Sequence, residues 1–327
     1  MEIAFVGDVM LGRLVAEEFR RQPPEFPWGD TLPLLRKADV LVGNLEFVLA
    51  DDGRPWPGKT FHFRADREAV RSLEAAGFSI VSVANNHVLD FGTDAALESL
   101  ETLADRGIRF SGAGPDAAAA RRPAVLSRDG ITIAMLAVTD NEPGWEAGVD
   151  SPGVRYLPID PDDARARELL DDVAREREAA DLVIVSAHWG GNWGVGVPRS
   201  HRRFARALVD AGADVVFGHS PHIVRGVEVY RGRPVLYGAG DFVDDYAVDP
   251  VERNDRSFVF VLRTDGAVPV ELRLHPTEIV DFHARRAGRH AAEIAREMAR
   301  RCAALGTRTV WDDDDGCLVI AIGHGST

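Results

Sequence analysis

The segment EIAFVGDVM, at residues 2–10, decides the fold class because a short apolar run there leads into an acidic side chain. Such a run is typical of a strand buried inside a sheet. Similar runs precede polar side chains at residues 40–42, 78–83, 182–186 and 215–217. Helical patterns lie between the runs, at residues 11–21, 66–76, 93–106, 160–178 and 199–211. This alternation predicts an α/β fold.

Side chains of the types that bind metals follow these predicted strands. They are Asp8, Asn44, Glu46, Asn86, His87, His188, His219, His222 and Asp241, with Asp90 close behind His87. Because the ends of neighbouring strands in an α/β sheet converge on one edge, we expect these residues to line one pocket. Carboxylate, amide and imidazole groups together indicate a divalent metal with acid/base groups beside it.

The last third of the chain has a different pattern. Short apolar runs separated by turns predict antiparallel strands at residues 224–230, 234–237, 258–262, 268–274 and 318–322, with one helix at 288–305. The candidate site draws on residues 8 to 241, and no flexible linker or internal repeat interrupts the chain. We therefore expect a single domain over residues 1–327, with a β-rich part at about 223–327.

Charge and composition exclude several classes of protein. The net charge of −14, from 38 basic and 52 acidic residues, argues against a nucleic-acid partner. The two cysteines, Cys302 and Cys317, form no zinc or disulfide pattern. The sequence has neither a signal peptide nor an apolar stretch of about 20 residues. We expect a cytoplasmic protein without a membrane anchor.

Five motifs resemble those of a known family. They are GDVM at 7–10, GNLE at 43–46, ANNH at 84–87 followed by DFG at 90–92, HWG at 188–190 and GHSPH at 218–222. In this order they resemble the CapA family, named for poly-γ-glutamate capsule synthesis, within the calcineurin-like metallophosphoesterase superfamily. The resemblance implies a four-layer α-β-β-α sandwich, in which two mixed β-sheets are flanked by helices.

The resemblance to two-metal phosphoesterases is incomplete. Met10 stands where those enzymes have a ligand histidine, Asn44 replaces their bridging carboxylate, and Pro221 displaces the last histidine by one position. A thioether is a poor ligand for a hard divalent ion, and a neutral amide bridges two such ions poorly. The resemblance therefore implies one divalent ion, Ca²⁺, Mn²⁺ or Mg²⁺ with Zn²⁺ also possible, and these ligands: Asp8, Glu46, Asn86 and His188. Whether His188, His219 and His222 are ligands or proton carriers stays open.

Histidine–carboxylate pairs supply the predicted proton chemistry. His87 and Asp90 are three residues apart, and a carboxylate beside an imidazole fixes its tautomer. Asp241 is expected to do the same for His219 or His222. Two such pairs on opposite sides of a carbon acid would provide the base and the acid that epimerisation requires.

Other side chains near the motifs are candidates for substrate binding. They are Asn44, His62, Arg64, Trp189, Trp193 and Arg225. The two tryptophans could wall a pocket or belong to the core, and both alternatives stay open. Histidines at positions 201, 275, 283, 290 and 324 lie outside the motifs and are interpreted as non-catalytic.

The leading functional hypothesis is a metal-dependent epimerase acting on a peptide or amino-acid polymer. Some members of the resembling family invert the C-terminal residue of a lasso-peptide precursor, and the altered metal ligands and surplus histidines favour that branch. One alternative is a metal-dependent hydrolase or transferase acting on poly-γ-glutamate or on phosphoesters. Another is a capsule-synthesis accessory protein without catalysis. Substrate, metal identity and oligomeric state stay open.

Overall fold

The computed structural model describes residues 1–323, so position 324 lies outside the described residues. The strands are β1 Glu2–Val9, β2 Val40–Leu45, β3 Val48–Leu49, β4 Arg64–Ala65, β5 Phe78–Ser82, β6 Arg109–Ser111, β7 Ala113–Gly114, β8 Ala124–Arg128, β9 Ile131–Thr139, β10 Gly153–Val154, β11 Leu182–His188, β12 Val215–His219, β13 Val227–Tyr230, β14 Arg233–Leu236, β15 Asp241–Val243, β16 Arg256–Asp265, β17 Val268–Val280, β18 His283–Arg286, β19 Val310–Asp312 and β20 Cys317–Ala321. The helices are α1 Arg13–Phe19, α2 Leu32–Lys37, α3 Val70–Ala76, α4 Thr93–Asp105, α5 Ala117–Arg121, α6 Ala164–Ala179, α7 Arg199–Ala211 and α8 Ala291–Ala303.

Two large mixed sheets organise the molecule. The larger follows the order β19-β20-β17-β16-β1-β2-β5-β6, with β15 also on β1 and β18 on β17. The smaller follows the order β13-β14-β12-β11-β9-β8. Its four central strands are parallel, and antiparallel strands β13 and β8 close its two edges. Two short pairs, β3 with β4 and β7 with β10, lie outside these sheets.

Strand β1 is buried on both faces, which explains its continuous apolar sequence. Ile3 and Phe5 belong to the core between the two sheets, and the Phe5 ring lies 5.3 Å from that of Phe217 in β12. Ala4 and Val6 point to the other face, where they pack in a separate core with residues of α1, α3 and α4. The first apolar run therefore contacts both sides of its sheet.

Helices cover the outer faces of both sheets. The outer core of the smaller sheet contains residues of α6 and α7, such as Leu169 and Phe204. The predicted arrangement of two mixed sheets flanked by helices is confirmed. Within residues 1–323, no helix combines the length and hydropathy needed to cross a membrane. The cytoplasmic location stays a prediction.

Parallel pairing brings the polar strand ends together. In the larger sheet, Asp8 of β1 pairs with Asn44 of β2 on one side and with Asp241 of β15 on the other. In the smaller sheet, His188 of β11 pairs with His219 of β12. Because the two sheets lie face to face, these ends form one cluster at the edge of the sandwich.

Candidate metal centre and acid/base site

Gly7 allows the close backbone approach that places Asp8 in the cluster. A Cβ atom at Gly7 would lie 1.8 Å from the carbonyl oxygen of Gly240, so a side chain there would force the two segments apart. The Asp8 amide donates a hydrogen bond of 2.9 Å to that same oxygen. The Asp8 side chain is fully buried as a result.

Asn44 stands between two buried carboxylates. Its Nδ2 donates hydrogen bonds of 2.8 Å to Asp8 Oδ1 and to Glu46 Oε2. The structure therefore makes Asn44 a donor to two predicted metal ligands.

Asn85 fixes the orientation of this amide. Asn85 Oδ1 accepts a hydrogen bond from the backbone amide of His87, and its Nδ2 donates to the Leu45 carbonyl. A backbone N–H can only donate and a backbone carbonyl can only accept, so these two contacts assign the oxygen and the nitrogen of the Asn85 side-chain amide. The same Nδ2 donates to Asn44 Oδ1 at 3.0 Å, which leaves the Asn44 NH₂ facing the carboxylates.

His188 and His219 form the first group that could hold a metal ion. Their Nδ1 atoms are 2.9 Å apart, and both rings have ligand atoms within 4.8 Å of an Asp8 oxygen. Two nitrogens bound to one ion at about 2.1 Å, at a right angle, would lie about 3 Å apart. Ser186 Oγ contacts His219 Nε2 at 2.7 Å, and Asn86 Oδ1 contacts His188 Nε2 at 3.0 Å.

A second group shares Asp8 with the first. Asp8, His222 and Asp241 also have ligand atoms within 4.8 Å of one another. His222 Nδ1 lies 2.8 Å from Asp241 Oδ1, so this pair is also a histidine–carboxylate dyad. Asp8 Oδ2 and Asp241 Oδ2 are buried and have no hydrogen-bond partner within residues 1–323. Unpaired buried carboxylate oxygens fit a bound cation.

The electrostatics of the cluster also fit a cation. Burial raises the pKa of the Asp8 carboxyl to about 6. Burial and the neighbouring carboxylates Asp8 and Asp241 raise the pKa of Glu46 well above its usual range. Burial likewise raises the pKa values of Asp241 and Asp244. A divalent ion would offset this repulsion, and the donor set of carboxylates and imidazoles suits Mn²⁺ or Zn²⁺ as well as harder ions.

His87 and Asp90 form a dyad beside the metal groups. His87 Nδ1 lies 2.6 Å from Asp90 Oδ2, and Lys59 Nζ lies 2.7 Å from the other Asp90 oxygen. Burial lowers the pKa of His87 despite the adjacent carboxylate, which favours the neutral imidazole. With its Nδ1 proton donated to Asp90, Nε2 remains a base, and it lies 3.8 Å from Glu46 Oε1.

Comparison with known proteins identifies the family. The family described as "Bacterial capsule synthesis protein PGA_cap" matches residues 2–246. The chain belongs to this family. A probable polyglutamine synthesis accessory protein of Mycobacterium tuberculosis is 36% identical over 307 residues, 89% of this chain and 80% of that protein. The PGA biosynthesis protein CapA of Bacillus subtilis is 32% identical over 248 residues, 75% of this chain and 63% of that protein.

The fold also occurs in a solved structure. A hypothetical protein from Thermus thermophilus superposes with a TM-score of 0.51, covering 85% of this PGA_cap chain and 99% of its own. The two sequences are 18% identical, so this likeness concerns the fold alone.

The remaining predicted ligands of this PGA_cap protein also lie in the cluster. Glu46 Oε1 is 3.8 Å from His87 Nε2 and 3.9 Å from His188 Nε2. Asn86 reaches the cluster through its contact with His188. Asp8, Glu46, Asn86 and His188 are thus neighbours, and their role as ligands stays a prediction.

The predicted substrate-binding residues divide into two groups. Trp193 is 49% exposed, and its ring lies 6.1 Å from that of His222. Asn44 lies inside the cluster. Trp189 packs in the core and donates from Nε1 to the Tyr237 carbonyl, so the core alternative applies to it.

The other three candidates make contacts away from the histidine cluster. Arg225 is buried and donates to the carbonyls of Trp193 and Gly194, which holds the loop that carries Trp193. His62 and Arg64 both contact the Phe91 ring, at 5.8 and 4.8 Å.

Sequence reasoning missed several residues that the PGA_cap fold brings to the site. Lys59 contacts Asp90 and lies 4.5 Å from the Trp145 ring. Arg13 lies over the rings of Phe61 and Phe63, at 4.9 and 5.1 Å. Tyr246 packs against His222, with ring centroids 4.8 Å apart. None of these follows a long predicted strand, so the strand-end rule provided no signal for them.

Proposed function

We propose that this PGA_cap protein is a metal-dependent enzyme that cleaves or transfers amide bonds of a glutamate polymer or a similar carboxylate-rich peptide. One observation carries the proposal: the His87–Asp90 dyad faces the Asp8 and His188 metal group across Glu46. A neutral, oriented imidazole beside a candidate metal group supports metal-assisted hydrolysis, because it can act as the general base and acid.

The chain's own residues have distinct parts in this reaction. An ion bound at Asp8 would supply Lewis acidity toward a substrate carbonyl or water. His87 Nε2 accepts a proton from the nucleophile and delivers one to the leaving amine. Asp90 holds the imidazole tautomer, and Lys59 holds Asp90.

The substrate class is proposed from two observations. The names of the relatives connect them with polyglutamine or PGA synthesis. Near the cluster, the Arg13 guanidinium pairs with Asp245 through Nε, and its Nη1 has no hydrogen-bond partner within residues 1–323. A guanidinium with a spare donor suits a chain that bears carboxylates.

A second candidate function is epimerisation at a Cα atom, which a specific observation favours. The site contains two dyads, His87–Asp90 and His222–Asp241. One histidine would remove the Cα proton and the other would return a proton from the opposite face. This reaction requires His222 and Asp241 to be free of metal, although they also belong to the second ligand group.

An isotope experiment distinguishes these reactions. The metal-loaded protein is incubated in D₂O with γ-linked glutamate oligomers of L and D configuration, and chain length, mass and residue chirality are measured. His87→Ala serves as the test variant, and His290→Ala, outside the cluster, serves as its control.

Each outcome has a defined meaning. Shortened or transferred oligomers, lost with His87→Ala or a chelator, would support amide chemistry. Oligomers of unchanged length that gain deuterium at Cα and change chirality would support epimerisation. Unchanged oligomers, or full activity of His87→Ala, would contradict both enzymatic proposals and favour a non-catalytic accessory role in polymer synthesis.

A further inference from the structure

Tyr246 reaches the site from the segment that follows β15. Asp241 begins this strand beside Asp8, and three residues later Asp244 Oδ1 accepts a hydrogen bond of 3.2 Å from the Tyr246 amide. Asp245, between them, pairs with Arg13 Nε at 3.3 Å. The segment therefore contacts both the candidate metal groups and α1. These contacts determine the position of the Tyr246 ring beside the site.

Aromatic contacts hold the Tyr246 ring between the two dyads. On one side it lies 4.8 Å from His222. On the other it lies 5.6 Å from Phe63, whose ring is 4.8 Å from His87. Phe61 packs edge-on against the Tyr246 ring at 5.9 Å. Edge-to-face packing of this kind restricts the ring while leaving its polar end available.

The Tyr246 hydroxyl is free to contact a ligand. Within residues 1–323 it makes no hydrogen bond to the protein, and it is not among the buried polar atoms that lack a partner. Tyr246 is half-buried, so solvent or substrate reaches its edge. A phenol carries its proton at neutral pH, so the Tyr246 hydroxyl can donate a hydrogen bond.

We propose that Tyr246 contacts the substrate and donates a hydrogen bond to the carbonyl oxygen on which negative charge develops. Both candidate reactions place charge on that oxygen: cleavage of an amide forms a tetrahedral oxyanion, and removal of a Cα proton forms an enolate. The hydroxyl keeps its proton throughout, so no bond to Tyr246 forms or breaks. This inference rests on the proposed function and deepens it by naming a substrate contact.

Kinetics of Tyr246→Phe test this contact. The variant removes the hydroxyl and keeps the ring that packs against His222 and Phe63. We expect kcat on γ-linked glutamate oligomers to fall by about 10²–10³-fold, because the lost donor acts on transition-state charge, with KM changed less than about threefold. Tyr230→Phe is the matched control, since its hydroxyl lies 3.3 Å from Asp210 at the surface, and its kcat should equal that of the wild type. Wild-type kcat in Tyr246→Phe would overturn the proposal.

A second readout does not depend on turnover. The chain has 4 tyrosines, so 3-fluorotyrosine labelling gives a simple ¹⁹F spectrum in which Tyr246→Phe assigns the signal of interest. Titration of the Ca²⁺-loaded protein with a γ-linked glutamate pentamer should shift the Tyr246 signal and leave that of Tyr230 in place.

The two readouts separate the two proposals. A shifted Tyr246 signal in a protein that shows no turnover would support the contact between Tyr246 and the pentamer and contradict the proposed reaction. An unshifted Tyr246 signal at saturating pentamer would overturn the contact, even if the wild-type enzyme cleaves the polymer.

Discussion

Asn44 shows how a single residue sets the charge of the cluster. Its amide donates to Asp8 and Glu46, so it links two buried carboxylates without adding a third negative charge. Asp8 Oδ2 remains without a partner in residues 1–323 and is available to an ion. The orientation imposed by Asn85 excludes the Asn44 oxygen from this contact. Asn44 therefore orients the ligands through hydrogen bonds.

Replacing Asn44 with aspartate should make stability depend on metal. Without an ion, Asn44→Asp places three carboxylates together and loses two hydrogen bonds, so the free energy of unfolding should fall by about 3 kcal/mol. Added Mn²⁺ should restore most of it, because the new carboxylate is a ligand. Thermal unfolding with and without Mn²⁺ measures both effects.

Gln22→Glu is the control for Asn44→Asp, because it makes the same amide-to-acid change on an exposed side chain. Equal thermal unfolding of Asn44→Asp and wild type in the absence of metal would contradict the role assigned to the amide.

At the residue scale, the sequence predicted those site residues whose position depends on a strand. Asp8, His188 and His219 lie at or near the ends of strands, so strand pairing within each sheet brings them to the sheet edge where the site forms. Lys59 and Tyr246 lie on irregular segments, where tertiary contacts determine the path of the chain. A pattern of apolar residues carries no information about such contacts.

Among the helices and strands, those with a clear periodicity of apolar residues were predicted well. The predicted helix at 199–211 matches α7. The predicted helix at 66–76 ends at the same residue as α3, and Gly77 follows it with a left-handed φ of 88°. No pattern of residues indicated β15, whose three residues pair in parallel with β1. A strand so short has no recognisable alternation, yet it carries Asp241 into the site.

The loop between β11 and α7 depends on Arg225. This buried side chain donates from Nε to the Gly194 carbonyl at 3.0 Å and from Nη2 to the Trp193 carbonyl at 3.4 Å. Arg225→Leu removes both donors, and each lost hydrogen bond to a charged group costs about 1.5–3 kcal/mol. We expect amide hydrogen exchange of residues 190–197 to accelerate by about tenfold or more, as measured by mass spectrometry.

Arg199→Leu is the control for this experiment, because Arg199 is exposed at the first position of α7. Exchange in residues 190–197 that is equally fast in wild type and Arg225→Leu would show that Arg225 does not hold the loop.

Strand β17 contains a buried histidine that should make stability depend on pH. Burial lowers the pKa of His275 to about 4, against an ordinary value of 6.5. The folded state therefore prefers the neutral imidazole, and this contribution is complete above pH 6.5 and is lost as the pH falls toward 4. One pKa unit corresponds to about 1.4 kcal/mol, so the loss amounts to about 3 kcal/mol.

His275→Gln removes this titration. The free energy of unfolding of the variant, relative to wild type, should rise as the pH falls from 6.5 to 4 and should stay constant from pH 7 to 8. Urea unfolding across this range measures the difference. A constant difference down to pH 4 would contradict the assignment to His275.

At the scale of the molecule, the two sheets bring acidic and histidine side chains at their strand ends into one buried space. The larger sheet supplies Asp8, Glu46 and Asp241, and the smaller supplies His188 and His219. Each sheet alone holds only part of the candidate metal groups. The sandwich is therefore necessary for the site, and the sequence predicted it through the resemblance of ordered motifs rather than through any single strand.

The central claim is that this cluster binds a divalent ion, and metal content after dialysis tests it most directly. Protein loaded separately with Mn²⁺, Zn²⁺ and Ca²⁺ is dialysed, and retained metal is measured by inductively coupled plasma mass spectrometry. We predict that wild type retains about one equivalent of at least one ion and that Asp8→Ala, which belongs to both ligand groups, retains little. Wild-type protein without retained metal, or equal retention by Asp8→Ala, would contradict the claim.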